Sequence, residues 1–147
     1  MSSFKGSYKY SVDGKGRINI PARLRKYVSP EANNTFTITR GFVNCLFVYP
    51  QDEWLRVENS IRSLSSLNAQ HRYFTRLLLE NAIESKLDAQ SRITIPRELL
   101  SMAFITREAL IIGVLDRIEI WNPATYKEYQ DKQGESYESI AETVLPK

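Results

Sequence analysis

Asp13-Gly-Lys-Gly-Arg17-Ile-Asn-Ile-Pro21-Ala-Arg-Leu24 returns later in the chain as Asp88-Ala-Gln-Ser-Arg92-Ile-Thr-Ile-Pro96-Arg-Glu-Leu99, with Asp, Arg, both Ile, Pro and Leu in the same places. An internal repeat decides how everything around it is read. In the first copy, Asp-Gly followed by a second Gly supplies the positive φ angles that a hairpin turn needs. Arg17-Ile-Asn-Ile20 alternates polar and apolar, which predicts a return strand with Ile18 and Ile20 on the core side. Pro21 suits the first position of a short helix, about residues 21–27, because its missing N–H costs nothing there.

Working outward, Tyr8–Val12 reads as the strand entering the turn. Thr35–Arg40 and Cys45–Tyr49 read as a second hairpin around Gly41-Phe-Val-Asn44. It too has a counterpart: Ile38 to Tyr49 lines up with Leu110 to Trp121, Gly41 falling opposite Gly113. The offset is 72 there against 75 for the first motif, so three residues are missing from the second connecting loop. The second unit is therefore predicted as strands 83–87 and 92–95, a helix from Pro96, and strands 109–113 and 117–121. Between the units, residues 50–82 lack glycine and place apolar residues at helical spacing. Two helices are expected, about 51–63 and 68–81, broken near Ser65-Ser66 with Asn68 as the cap. Trp54, Val57, Ile61 and Leu64 form one stripe, Leu67, Phe74, Leu77 and Leu78 another, both read as core or subunit interface. A further helix is expected over 123–131. The acidic tail from Gly134 is expected to fray, with Tyr137, Ile140 and Val144 available to dock on a partner.

A unit of about 45 residues buries too little surface to stand alone. The simplest remedy is to interleave the two copies. The expected class is mixed α+β, mainly β: two ββαββ-type repeats interleaved into a pseudo-dimeric β-barrel, with a helical linker. The divisions are 7–54, a linker over 55–82, 83–126, and a C-terminal helix end and tail over 127–147.

Composition narrows the chemistry. The chain has 147 residues, 42% of them hydrophobic and 25% charged, a globular balance. Its longest uncharged apolar run, Leu110 to Leu115, is far below the roughly 20 residues of a membrane helix, and the N-terminal stretch lacks the apolar run of a signal peptide. His71 and Cys45 are each the only residue of their kind, so a multi-His metal site or an internal disulfide is excluded. The six glycines match no nucleotide-binding loop. No nucleophile–base pair is visible, so an enzyme is not expected, and neither is a cofactor. The net charge of +3 is unevenly spread. Residues 1–27 hold Lys5, Lys9, Lys15, Arg17, Arg23, Arg25 and Lys26 against Asp13 alone, and the remainder is net acidic. A concentrated basic arm points to nucleic acid.

Certain residues, taken in order, resemble the MraZ family of bacterial transcriptional regulators, which carry two tandem SpoVT/AbrB-like domains. They are Phe4-x-Gly6-x-Tyr8, Asp13-x-Lys15-Gly16-Arg17-Ile18, Ile20-Pro21-Ala22-x-x-Arg25, Thr39-Arg40-Gly41, Cys45-Leu46-x-Val48-Tyr49-Pro50-x-x-Glu53-Trp54, and Asp88-x-Gln90-x-Arg92-Ile93-x-Ile95-Pro96. Two departures stand out: Ser91 where the family usually has Gly, and Glu80-Asn81-Ala82 for a usual Ser-Gly-Ala. The resemblance implies an oligomeric ring, roughly octamer to dodecamer. It would bind promoter repeats in double-stranded DNA upstream of its own cell-division and cell-wall gene cluster, most often as a repressor, in the cytoplasm and nucleoid. The other reading of the same fold is a protein-interaction, antitoxin-like scaffold.

Roles follow from residue chemistry. Arg17 presents a fork of donors that suits a guanine edge or a phosphate. Lys15, at the turn tip, suits phosphate, and Arg23 and Arg25 line the short helix. Arg92, the repeat partner of Arg17, joins Lys15, Arg17, Arg23 and Arg25 as an expected DNA contact, although its surroundings, residues 83–99, are net neutral. The first copy is therefore expected to do most of the DNA reading, while the second mainly completes the barrel or an oligomer contact. Asp13, Gly16 and Asp88 are turn formers. Cys45 is expected to be a small buried residue, and Trp54 and Trp121 packing anchors.

Overall fold

The computed structural model describes residues 2–146; Lys147, the last residue of the expected 127–147 segment, lies outside them. The strands are β1 (Ser7–Ser11), β2 (Arg17–Asn19), β3 (Thr35–Arg40), β4 (Leu46–Pro50), β5 (Ile83–Lys86), β6 (Arg92–Thr94), β7 (Glu108–Val114) and β8 (Arg117–Trp121). The helices are α1 (Ala22–Arg25), α2 (Gln51–Arg62), α3 (Ala69–Leu79), α4 (Arg97–Met102), α5 (Pro123–Asp131) and α6 (Tyr137–Val144). Asn68 caps α3 as expected, accepting the N–H groups of Gln70 and His71. Asn122 does the same for α5.

The fold is mixed, with mainly antiparallel sheet. Six strands run in the order β1-β7-β8-β4-β3-β5, and β2 and β6 form a separate two-stranded ribbon. The two long hairpins, β3–β4 and β7–β8, pair as the sequence indicates. The other expected hairpin does not form. β2 turns away from β1 and pairs with β6, while β1 pairs with β7 and β5 with β3. A tight turn fixes where a chain reverses, not which neighbour takes its hydrogen bonds. Crossing between copies seats Ile18 directly opposite Ile93, both fully buried, which a three-residue strand folded on its own copy would forgo.

The ladders refine the repeat alignment. Ile38 lies opposite Val48 and Ile83, and Ile111 lies opposite Ile120 and Tyr8. Ile38 therefore corresponds to Ile111, not to Leu110 as the glycine alignment had it. Two of the three missing residues fall before β7 and one in the β7–β8 turn.

One core cluster lies beneath the ribbon and sheet and includes Phe4, Ile18, Ile20, Leu24, Phe36 and Ile93. A second, aromatic cluster holds Cys45, Phe47, Tyr49, Trp54, Leu78 and Trp121 between the sheet and the helices. Cys45 and both tryptophans sit where expected. Burial pushes the Cys45 thiol up to about 12, a poor nucleophile at neutral pH. The second linker stripe is only partly inward: Leu78 is buried, Phe74 is partly exposed, and Leu67 lies almost wholly in solvent on the loop before α3. The tail does not fray as expected. Ser136 accepts the Ser139 N–H and opens α6. No helix among the described residues is long and apolar enough to cross a membrane.

Candidate nucleic-acid interface

Each Asp-x-x-x-Arg turn is organised by its aspartate. Asp13 Oδ1 accepts the backbone N–H groups of Lys15 and Arg17, both at 2.9 Å, and its Oδ2 accepts Arg17 Nε at 2.6 Å. Asp88 does the same with Gln90 and Arg92, both at 2.9 Å, and with Arg92 Nε at 2.8 Å. A carboxylate that accepts several N–H bonds is favoured in its charged form. The Arg17 backbone N–H, assisted by the Arg17 side chain and the Lys15 N–H, holds Asp13 at about 2. Asp88 is lowered for the same reason, first by the Arg92 backbone N–H.

The departure at Ser91 leaves the second turn intact. Ser91 adopts φ 62°, the left-handed region that Gly16 occupies at 79°. The Ser91 N–H donates to Asp88 O at 3.0 Å, as that of Gly16 does to Asp13 O. The two turns also lock onto each other's copy: Gly16 O accepts Ile95 N–H at 2.8 Å and Ser91 O accepts Ile20 N–H at 3.0 Å.

Strand alternation then sets what faces out. Ile18 and Ile93 point into the core, so Arg17, Asn19, Arg92 and Thr94 share the outer face of the ribbon. The structure thus brings Arg17 and Arg92 together, diagonally across two strands. Their settings differ. Arg92 Nη1 reaches Asp13 Oδ2 at 3.7 Å while its Nε holds Asp88, so Arg92 ties the two turns together. Arg17 engages Asp13 alone, and its two terminal nitrogens carry no hydrogen bond among the described residues.

Lys15 is exposed at the turn tip and Arg23 is exposed on α1. Arg25 is half-buried, and its Nε donates to Ile20 O at 2.9 Å, which braces the end of the strand. Sequence reasoning missed three outer positions. Asn19 lies on the ribbon face, its Nδ2 donating to Gln90 O at 2.8 Å; Thr94 lies opposite Arg17. Arg97, on α4, flanks a cleft of about 440 Å³ beside the first turn, across from Lys15. A signal for Arg97 exists in the repeat itself, where the second copy carries a cation in place of Ala22. No cluster of metal-ligating side chains occurs among the described residues.

Known proteins match this chain over nearly its whole length. It is 42% identical over 142 residues to the "Transcriptional regulator MraZ" of Syntrophomonas wolfei subsp. wolfei, covering 97% of this chain and 96% of the relative. It is 41% identical over 138 residues to the protein of that name from Alkaliphilus metalliredigens, covering 94% of each. The family model described as "MraZ protein, putative antitoxin-like" matches twice, over residues 3–77 and 78–146. Each match takes in one Asp-x-x-x-Arg turn, one long hairpin and the helix directly after it, and on these grounds the chain belongs to the MraZ family.

Proposed function

We propose that this protein is a DNA-binding transcriptional regulator that presents the β2–β6 ribbon to the major groove. The regulators it resembles are not enzymes, and their shared name supports the general role. The observation that carries the reading is the ribbon itself: two antiparallel strands with Arg17, Asn19, Arg92 and Thr94 on one outer face. A B-DNA major groove, roughly 12 Å wide, admits a two-stranded ribbon of this kind. Arg17 reads a base edge or a phosphate, Lys15 and Arg23 contact the backbone, and Arg92 and Arg25 hold the reading surface in shape.

The equivalent residues Ile18 and Ile93 face each other, as do Phe47 and Glu119. That register supports a pseudo-dimer with a twofold through both ladders, wrapped as a barrel. We further propose a ring of such subunits on direct repeats upstream of the protein's own gene, repressing by excluding polymerase from the promoter, within the nucleoid. Titrating DNA from that region tests the reading. Arg17→Ala is expected to weaken binding by about 1–3 kcal/mol, and Arg92→Ala by less. Equal losses in two well-folded variants would overturn the division of labour. A stoichiometric protein partner recovered with a chain that ignores DNA would favour the antitoxin-like scaffold instead.

A further inference from the structure

The cleft between the first turn and α4 has two chemical characters. Lys15, from the turn, and Arg97, from α4, both border it and are exposed. Neither has a carboxylate partner among the described residues. Asp13 borders it too, but its charge is already answered, by Arg17 Nε at 2.6 Å and Arg92 Nη1 at 3.7 Å. The cleft therefore keeps two uncompensated cations. Its floor is apolar, with Ile105 buried and Leu100 half-buried, and the Ser101 hydroxyl adds a donor at the edge. A volume of about 440 Å³ falls inside the roughly 300–1,000 Å³ of small-ligand sites. A phosphate of the duplex backbone would use the cations and leave Leu100 and Ile105 uncovered.

The repeat separates this cleft from the common features of the two copies. At the equivalent places around the second turn, Gln90 stands for Lys15, Ala22 for Arg97, Arg25 for Leu100 and Lys26 for Ser101. Both cations of the rim are gone there, and the floor position is a cation whose Nε is committed to Ile20 O at 2.9 Å. A cationic rim over an apolar floor thus belongs to one turn of the pair.

We propose that this cleft binds a small phosphate monoester with an apolar body, and that the ligand competes with DNA for Lys15. A phosphate monoester carries a charge of about −1.5 to −2 at neutral pH, which matches the two free cations. The Arg97 guanidinium presents a fork of donors to its oxygens, while the apolar body covers Leu100 and Ile105. The site stands on its own geometry. Its control over DNA rests on the regulator put forward above, because Lys15 cannot serve a ligand and a DNA phosphate at once.

Equilibrium dialysis of the full chain against 1-naphthyl phosphate tests the site. One saturable equivalent per chain is expected. Inorganic phosphate, which lacks the body, and 1-naphthol, which lacks the charge, should each bind at least tenfold more weakly. Arg97→Ala should lower affinity for the probe at least tenfold and Arg97→Lys should retain most of it, while Ser101→Trp should abolish binding by filling the cleft from an exposed position. No saturable binding overturns the proposal, as does binding indifferent to Arg97→Ala and Ser101→Trp, or inorganic phosphate bound as tightly as the ester. In parallel, 1-naphthyl phosphate should release a single-repeat duplex from the native chain, and inorganic phosphate at equal ionic strength should not. A duplex still held when the cleft is full overturns the competition. A chain that binds DNA but not the probe sinks the ligand site alone, whereas one that binds the probe but never DNA sinks the regulator and leaves the site standing.

Discussion

Asp13 is a carboxylate working as a backbone scaffold. Its Oδ1 replaces the peptide partners that the Lys15 and Arg17 N–H groups would otherwise lack at the turn, and its Oδ2 holds the Arg17 side chain. Because its folded value of about 2 lies below the ordinary 3.8, the charged form stabilises the turn at every pH above that ordinary value, and the contribution is lost as pH falls through the folded one. Asp88 shifts in the same direction. The thermal midpoints of the native chain and of Asp13→Asn should accordingly differ by a constant amount from pH 7 down to about 4, then converge as pH approaches 2. A gap that persists at the acid end would mean that the charge does not hold the turn. The residue scale also shows why Ser91 misleads a reader of the sequence. A side chain in the left-handed region costs roughly 1–2 kcal/mol, so Ser for Gly reads as a broken turn. The Asp88 bonds nevertheless keep its geometry. The first turn lacks that freedom, because a Cβ on Gly16 would run into the Ile95 carbonyl.

Among the elements, the ribbon links stability to recognition most directly. Ile93 touches the outer face only through its backbone, but its side chain is fully buried beneath Arg17 and Arg92. Ile93→Ala should cost about 2–5 kcal/mol in denaturant unfolding. It should also weaken DNA binding, since β2 and β6 would no longer hold the two arginines in one plane. Full stability in that variant would remove the buried isoleucine pair as the ribbon's anchor. The strands themselves were legible as alternation: Ile18 and Ile20 face inward as their spacing implied, and so do their counterparts Ile93 and Ile95. Their partners were less so. Asp-Gly-Lys-Gly specifies a reversal and says nothing of the six-stranded ladder order, which is set by what the other copy contributes. The one-residue slip between Ile38 and Leu110 has a similar origin. Glycines align by identity, but a strand aligns by which side chains reach the core. α6 was hidden because its apolar stripe meets no partner within the chain, leaving only the Ser136 cap as a signal.

At the scale of the whole molecule, the balance of charge matters more than its sum. Seven cations lie in residues 1–27 of a chain whose net charge is only +3. With three or four phosphate contacts per subunit, log affinity for a single repeat should fall with log salt at a slope of roughly −3. An assembly holding several ribbons at fixed spacing would bind each further repeat at high effective concentration. Duplexes with one, two and four repeats, compared at constant salt, should therefore show affinity rising steeply with number. A single repeat that binds as tightly as the array would refute assembly as the source of affinity.

The exchange of strands between the two copies carries a consequence for descent. In a chain of independent modules, one copy is free to wander while the other keeps the work. Here Ile18 rests on Ile93, Leu46 lies opposite Ile120, and β1 is held by a strand of the other half. A change accepted in either half is tested at once against the other. The two halves can specialise at their outer residues, as Arg23 and Glu98 have, but they inherit their interior jointly.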